Sequence, residues 1–221
     1  TTGTAYDTSL AHQPAGGSLG GGGVVFQSPT DVVLVRLNPT GSALQASTYY
    51  GRFGYDGLQD VSTPHYGDEA RGDVWVDSDG IWIATASRSR GLATWPLDTS
   101  RGGTTDGLLA HFSPDLDTLR WATYVGGPGL DGLTSLIPTP SPSGTRLAVL
   151  GWTSGMGNLS GSGITTVPNG QAEAYYALFD PSNGQMLGQT YLEPQYCTSY
   201  GFLAAQNPAG AYAAVGDSSA V

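Results

Sequence analysis

Lysine is missing from the 221 residues, and all eight basic side chains are arginines. That absence excludes Schiff-base chemistry, the phosphate-loop lysine and any Ser–Lys nucleophile pairing. One cysteine, Cys197, is too few for an internal disulfide or a Cys-based zinc site, and it reads as a small apolar residue beside Tyr196. Charged residues make up only 12% of the chain, with acidic groups outnumbering basic ones 18 to 8 and a net charge of −10. Such a balance repels phosphate backbones and anionic lipid, so nucleic acid is not an expected partner. No run of about 18 apolar residues exists, so membrane insertion is not expected. No charged-then-apolar leader opens the sequence at Thr1-Thr2-Gly3, which reads as a mature form or a piece of a longer protein.

What is abundant is turn and strand chemistry. Thirty-four glycines and 14 prolines stand among many Thr, Ser, Val and Tyr, the composition of short strands joined by tight turns. Within that background the chain repeats itself. Asp31-Val-Val-Leu-Val-Arg-Leu-Asn-Pro39 returns as Asp106-Gly-Leu-Leu-Ala-His-Phe-Ser-Pro114 and as Glu173-Ala-Tyr-Tyr-Ala-Leu-Phe-Asp-Pro181. Ser47-Thr-Tyr-Tyr-Gly-Arg-Phe-Gly-Tyr-Asp-Gly-Leu58 matches Ala122-Thr-Tyr-Val-Gly-Gly-Pro-Gly-Leu-Asp-Gly-Leu133, with a worn version at Gln189-Thr-Tyr-Leu-Glu193. A second element reads Gly80 to Ser87, Gly144 to Ser154 and Gly210 to Ser218, with Gly3 to Ser9 as a fourth copy.

These pieces predict hairpins. Val32 to Leu37 and Leu44 to Tyr50 flank the turn Asn38-Pro-Thr-Gly41, and Gly72 to Val76 and Ile81 to Ala86 flank Asp77-Ser-Asp-Gly80. Two hairpins in series make a four-stranded antiparallel meander, too thin to bury both faces alone, so copies must stack. The expected fold is all-β, a β-propeller-type array with three complete blades over 31–87, 106–154 and 173–219. Residues 1–10 form an orphan last strand of a preceding blade, and 11–30 form a Gly-rich connection, all within one array spanning 1–221. Three blades fall short of the four to eight that close a ring. The chain is therefore expected to meet other protein chains, or the missing blades of a longer protein.

The pattern Asp-x-apolar-x-apolar-x-Leu-x-Pro-x-Gly over Asp31–Gly41, with Ser47–Asp56 and Asp77–Ser87, resembles the bacterial seven-bladed β-propeller (SBBP) repeat family. The third copy departs from it, reading Leu192-Glu-Pro-Gln-Tyr-Cys197 where the Gly-Gly-x-Gly-x-Asp stretch belongs. The resemblance implies a propeller in a secreted or cell-surface bacterial protein, generally without enzymatic activity, and it supplies no catalytic residues.

Candidate sites are few. Gly51-Arg-Phe-Gly-Tyr-Asp56 and Gly126-Gly-Pro-Gly-Leu-Asp131 are similar to calcium-binding turns of nonapeptide arrays. Each offers one aspartate, however, where calcium takes six to eight oxygens. Bonds from Asp56 and Asp131 to nearby amides are the favoured reading, with Ca2+ as the alternative. Asp77 and Asp79, with Asp73, resemble the opening of a calcium loop that lacks its downstream glutamate, and they read first as turn formers. Ser18 in Gly16-Gly-Ser-Leu-Gly20 satisfies a nucleophile-elbow pattern without the strand and helix that motif needs. His111 is the one histidine of three on a repeat strand. Arg36 and Ala177 hold its equivalent positions, which marks an exposed or tolerant site. Trp95, in the connection Gly91-Leu-Ala-Thr-Trp-Pro96, is the aromatic most expected to be exposed, and it is the ligand-binding candidate. No catalytic constellation emerges. The functional expectation is a non-catalytic interaction module, with a carbohydrate-binding or carbohydrate-active propeller carrying an axial site as the alternative and a fibre subunit as the next.

Overall fold

In the computed structural model, the described residues are 4–10, 29–59, 72–95, 97–142, 144–157, 159–160, 163–168 and 172–192, together with the backbone of 197–206 and 212–220. They form twelve strands and no helix. The first six are β1 (Val32–Leu37), β2 (Leu44–Tyr50), β3 (Asp73–Val76), β4 (Ile81–Ser87), β5 (Asp106–Phe112) and β6 (Leu119–Val125). The others are β7 (Asp131–Ser141), β8 (Gly144–Thr153), β9 (Glu173–Phe179), β10 (Met186–Tyr191), β11 (Cys197–Gln206) and β12 (Tyr212–Ala220).

The turns work as their residues predict. Asn38 Oδ1 accepts the amides of Ser42 and Ala43 at 2.8 and 3.2 Å, and Gly41 supplies a φ of 69°. At the equivalent place in the β5–β6 turn, Leu116 takes the left-handed conformation, with a φ of 58°. Its side chain is fully buried in the core, and that burial offsets the strain of a non-glycine residue there.

All the strand pairs are antiparallel. They give four sheets in chain order: β1-β2, β3-β4-β5-β6, β7-β8-β9-β10 and β11-β12. Period-two alternation then decides which face meets which neighbour. Ile81, Ile83, Leu108, Ala110 and Phe112 turn toward β1-β2 and pack with Val32, Leu34, Ala46 and Tyr50. Trp82, Ala84, Leu109 and Trp121 turn the other way and pack with Leu133, Leu147, Val149, Tyr175 and Phe179 of the β7–β10 sheet. The backbone of β11 lies against β7, β8 and β9. The sheets are thus stacked face to face, with none closed into a barrel.

The sheet boundaries differ from those expected. Residues 31–87 do not make one sheet: β2 and β3 belong to different sheets, and β4 pairs instead with β5, placing Ser87 opposite Asp106. The same shift divides 106–154 and 173–219, so two complete four-stranded sheets lie between two hairpins rather than three complete blades following one another. The cause is in the connections. The short run Gly51–Asp56 carries the chain across to the next sheet, where Asp56 bridges Ser87. The long 88–105 connection runs back along β6, where the Thr94 amide bonds Ala122 O and the Tyr124 amide bonds Asp98 O, so that β5 returns beside β4.

The orphan N-terminal strand expected over 1–10 is not found among the described residues of that segment. Residues 4–10 contain no strand. They run along β2 as 94–98 runs along β6: the Tyr49 amide bonds Asp7 O just as the Tyr124 amide bonds Asp98 O. Asp7-Thr-Ser9 and Asp98-Thr-Ser100 are copies of one Asx turn, in which the carboxylate accepts both the amide and the hydroxyl of the serine two residues on.

Candidate functional site

The titratable groups most displaced by their surroundings collect where the chain crosses between sheets. At the first crossing the Asp56 carboxylate is buried and saturated with donors. Ser87 Oγ and the Ser89 amide donate to Oδ1, and Ser89 Oγ and the Arg52 amide donate to Oδ2. Burial pushes its pKa up, while the serine hydroxyls and the two amides oppose that rise. At the second crossing Asp131 accepts the Gly127 amide on Oδ2 at 2.8 Å and has the Thr153 hydroxyl beside it. Burial drives its carboxyl up to about 6, Thr153 and Gly127 oppose the shift, and the neighbouring Asp106 charge adds to it. Asp106 itself is pushed up by burial and held down by the Gly102 and Gly103 amides, which it accepts at 2.8 and 2.9 Å.

A glycine makes each crossing possible. A Cβ on Gly51 would fall against the carboxylates of Asp31 and Asp56, and one on Gly126 would meet Asp131 Oδ2 at 2.6 Å and Asp106 Cγ at 2.9 Å. The repeat therefore brings the strand-start acid and the loop acid to one point, once per crossing. In a third copy this point falls at Glu193, outside the described residues. Among the described residues no group of three metal-ligating side chains converges. The oxygens that calcium would need at Asp56 already accept N–H and O–H donors.

Asp77 and Asp79 occupy the β3–β4 turn. Asp77 Oδ1 accepts the Asp79 and Gly80 amides, and Asp79 takes the Arg120 guanidinium at 2.6 Å. Asp73 lies nearer the neighbouring sheet, where its Oδ2 accepts the Leu136 amide. Turn formation and inter-sheet bonding account for all three aspartates.

His111 differs from expectation: it is buried rather than exposed. Trp75, Trp82, His111 and Trp121 are directly opposed across β3, β4, β5 and β6. They form an aromatic ladder, with His111 stacked on Trp82 at 3.9 Å and edge-on to Trp121 at 5.8 Å. Burial, reinforced by Arg120, holds the imidazole down at about 4 against the pull of Asp79, so it is neutral at pH 7. The indole N–H groups of Trp82 and Trp121 both donate to Pro181 O, which ties the ladder to the turn of the next sheet. The repeat hides this because the equivalent residues have no aromatic cross-strand partners: Arg36 faces Ala46, and Ala177 faces Val149 and Gln189.

Two surface clefts repeat with the crossings. One of about 490 Å³ is lined by Tyr6, Asp7, Tyr50, Gly51, Arg52 and Leu92. Another of about 470 Å³ has Leu97, Asp98, Tyr124, Gly126, Tyr175 and Gln189 on its walls. The buried acids Asp106 and Asp131 line neither, while Asp56 lines a separate groove of about 560 Å³ with Val33, Leu34, Leu58 and Val74. Trp95 is 87% exposed on the 88–105 connection. His12, Ser18, His65 and Glu69 lie outside the described residues, and of Cys197 only the backbone is described. No family model matches the chain, and neither does any curated protein.

Proposed function

We propose that the chain is a non-catalytic structural module, a propeller-type array of stacked sheets whose connections make protein–protein or assembly contacts. On the resemblance to SBBP repeats, it belongs to a bacterial secreted or cell-surface protein. The observation that supports this reading most is how the perturbed acids are engaged. Both carboxylate oxygens of Asp56 and both of Asp106 accept donors of their own crossings, and Asp131 accepts the Gly127 amide. Asp56 lines a groove of about 560 Å³, but with its oxygens already taken. Perturbed carboxylates in catalysis present a free oxygen to substrate; these fasten one sheet to the next.

One observation favours a carbohydrate-binding reading: the duplicated clefts pair a tyrosine with an aspartate, Tyr50 with Asp7 and Tyr124 with Asp98, and both fall in the size range of small-ligand sites. A glycan array run beside a panel of chromogenic glycosides separates the two. The scaffold reading expects no array hit and no turnover, together with cross-links from the 88–105 connection to other protein chains in the native setting. A saturable glycan signal abolished by Tyr124→Ala would replace it with the carbohydrate reading.

A further inference from the structure

The two crossings share a turn and differ in surface chemistry. Set side by side on the repeat, Arg52 and Phe53 of the first correspond to Gly127 and Pro128 of the second. Beyond the following strand, Arg88 and Arg90 correspond to Ser154 and Met156. Gly91 corresponds to Gly157, and both glycines turn the chain with a positive φ, 75° and 68°. The second crossing thus builds the same turns with none of these charges. Arg52, Arg88 and Arg90 are additions that the fold does not require, gathered on one crossing of a chain whose net charge is −10.

Local geometry holds them together. A Cβ on Gly91 would meet Arg52 Nη1, Cζ and Nε at 3.6, 3.7 and 3.9 Å, so the plane of that guanidinium covers the turn carrying Arg90. Arg88 Nε donates to Thr105 Oγ1 at 3.1 Å, and its guanidinium stands 5.9 Å from the centre of the Tyr55 ring. Arg52 and Arg90 are exposed and have no ion pair among the described residues. Phe53, beside Arg52, is 67% exposed. Arg52 and Phe53 line the cleft of about 490 Å³ together with Tyr6, Asp7, Tyr50 and Leu92. Its other polar groups are engaged within the chain. Tyr50 donates its hydroxyl to Leu92 O at 2.9 Å, and Asp7 Oδ1 accepts the amide and the hydroxyl of Ser9. Two cations and an aromatic ring are what this face offers to solvent.

We propose that this face docks an acidic segment of another protein, with a carboxylate of the partner on the Arg52 and Arg90 guanidiniums and a neighbouring apolar side chain on Phe53. This rests on the module reading above and names its partner by chemistry. A guanidinium takes a carboxylate through two parallel N–H···O bonds, and arginine and aromatic side chains are the ones enriched at protein interfaces. Positive charge gathered at one edge of an acidic chain also orients an approaching acid and speeds its encounter. A sugar chain suits the face less well. Each ring carries hydroxyls that need partners when buried, and the Tyr50 hydroxyl and Asp7 Oδ1 are already taken.

Fluorescence anisotropy with a labelled peptide of alternating glutamate and leucine tests the docking. At about 20 mM salt the chain is expected to bind it saturably and to bind the glutamine–leucine counterpart roughly tenfold more weakly or worse, with most of the glutamate affinity lost by about 0.5 M salt. Arg52→Gly with Phe53→Pro, the residues that the second crossing already carries, should weaken the glutamate peptide at least roughly tenfold while the circular dichroism spectrum stays that of the parent. Arg90→Glu, at an exposed position, should do the same by itself and keeps the test decisive if the double variant does not fold. Equal affinity for the two peptides, or parent affinity in a folded variant, overturns the proposal. Binding of polygalacturonate without binding of the peptide overturns it in favour of an acidic glycan. A dimer by light scattering that the double variant dissociates overturns it in favour of a second copy. A blank with the peptide beside cross-links from the 88–105 connection to other proteins sinks this face alone, and a glycan signal abolished by Tyr124→Ala sinks the module reading alone.

Discussion

The crossings at Gly51–Asp56 and Gly126–Asp131 are two copies of one loop, closed in different ways. Both bring an aspartate back onto the amide four residues earlier, and both send that aspartate's own amide to the carbonyl of the threonine just before the preceding strand-start acid, Thr30 before Asp31 or Thr105 before Asp106. The pattern of glycines and aspartate thus fixes the backbone. What it leaves open is the end of the following strand. Ser87 and Ser89 surround Asp56 with hydroxyls. At the second crossing Thr153 stands for Ser87, and Gly155, which has no hydroxyl, stands for Ser89. Asp131 is left with fewer donors and a second acid beside it, and its carboxyl rises to about 6. A repeated motif therefore sets geometry, and its non-repeated neighbours set charge.

Exchanging the residues that differ tests this most severely. Arg52 of the first loop corresponds to Gly127 of the second, where a Cβ would lie 2.4 Å from Gly155 O and 2.6 Å from Met156 Cα. Both obstacles are backbone. Gly127→Arg is expected to destabilise the protein by about 3 kcal/mol or more by thermal or denaturant unfolding. Arg52→Gly, in the loop with room for a side chain, should change stability by less than about 1 kcal/mol. Equal effects at the two positions would show that the loops are closed alike after all. Next in size is Asp56→Ala, which leaves two buried hydroxyls and two amides without their acceptor and should cost about 2 kcal/mol. If Asp56→Ala proves no worse than Asp131→Ala, donor saturation is not what distinguishes the crossings.

Much of this was legible in the sequence because it repeats. Strands β1, β2, β5, β6 and β9, the turns at Asn38 and Asp77, and the all-β character follow from motifs that recur with turn residues at fixed offsets. Which hairpins share a sheet did not follow. The 126–130 link between β6 and β7 looks too short to leave a sheet and the 88–105 link too long to stay in one, and spacing alone cannot show that the longer one folds back along β6. The misreading of Gly3 to Ser9 has a similar origin: a Gly-x-x-Tyr run imitates a strand start, while its real counterpart, Asp98-Thr-Ser100, sits in a loop where no strand pattern draws attention. The burial of His111 was hidden because it depends on three tryptophans from other strands, and only the register brings those together. Likewise the pairing of Asp106 with Asp131 joins positions 25 residues apart in sequence through the space left by Gly126.

The finest contrast between the crossings is their response to pH. The folded carboxyl of Asp131 titrates near 6, against 3.8 for the ordinary group, so the folded chain keeps that proton after the unfolded chain has released it. The contribution to stability is therefore present below about pH 4, falls as pH rises from 4 to 6, and is flat above that. Asp131→Asn keeps an oxygen to accept the Gly127 amide and removes the charge. At pH 7 it should leave the protein as stable as the parent or stabilise it by about 1 kcal/mol. Its denaturant midpoint should also lose part of the decline between pH 4 and 6. Asp56→Asn should do the opposite at pH 7, since an amide nitrogen would face hydroxyl and N–H donors that now find a carboxylate oxygen. If the two asparagine variants shift the midpoint in the same direction at pH 7, the difference assigned to Thr153 and Gly155 against Ser87 and Ser89 is wrong.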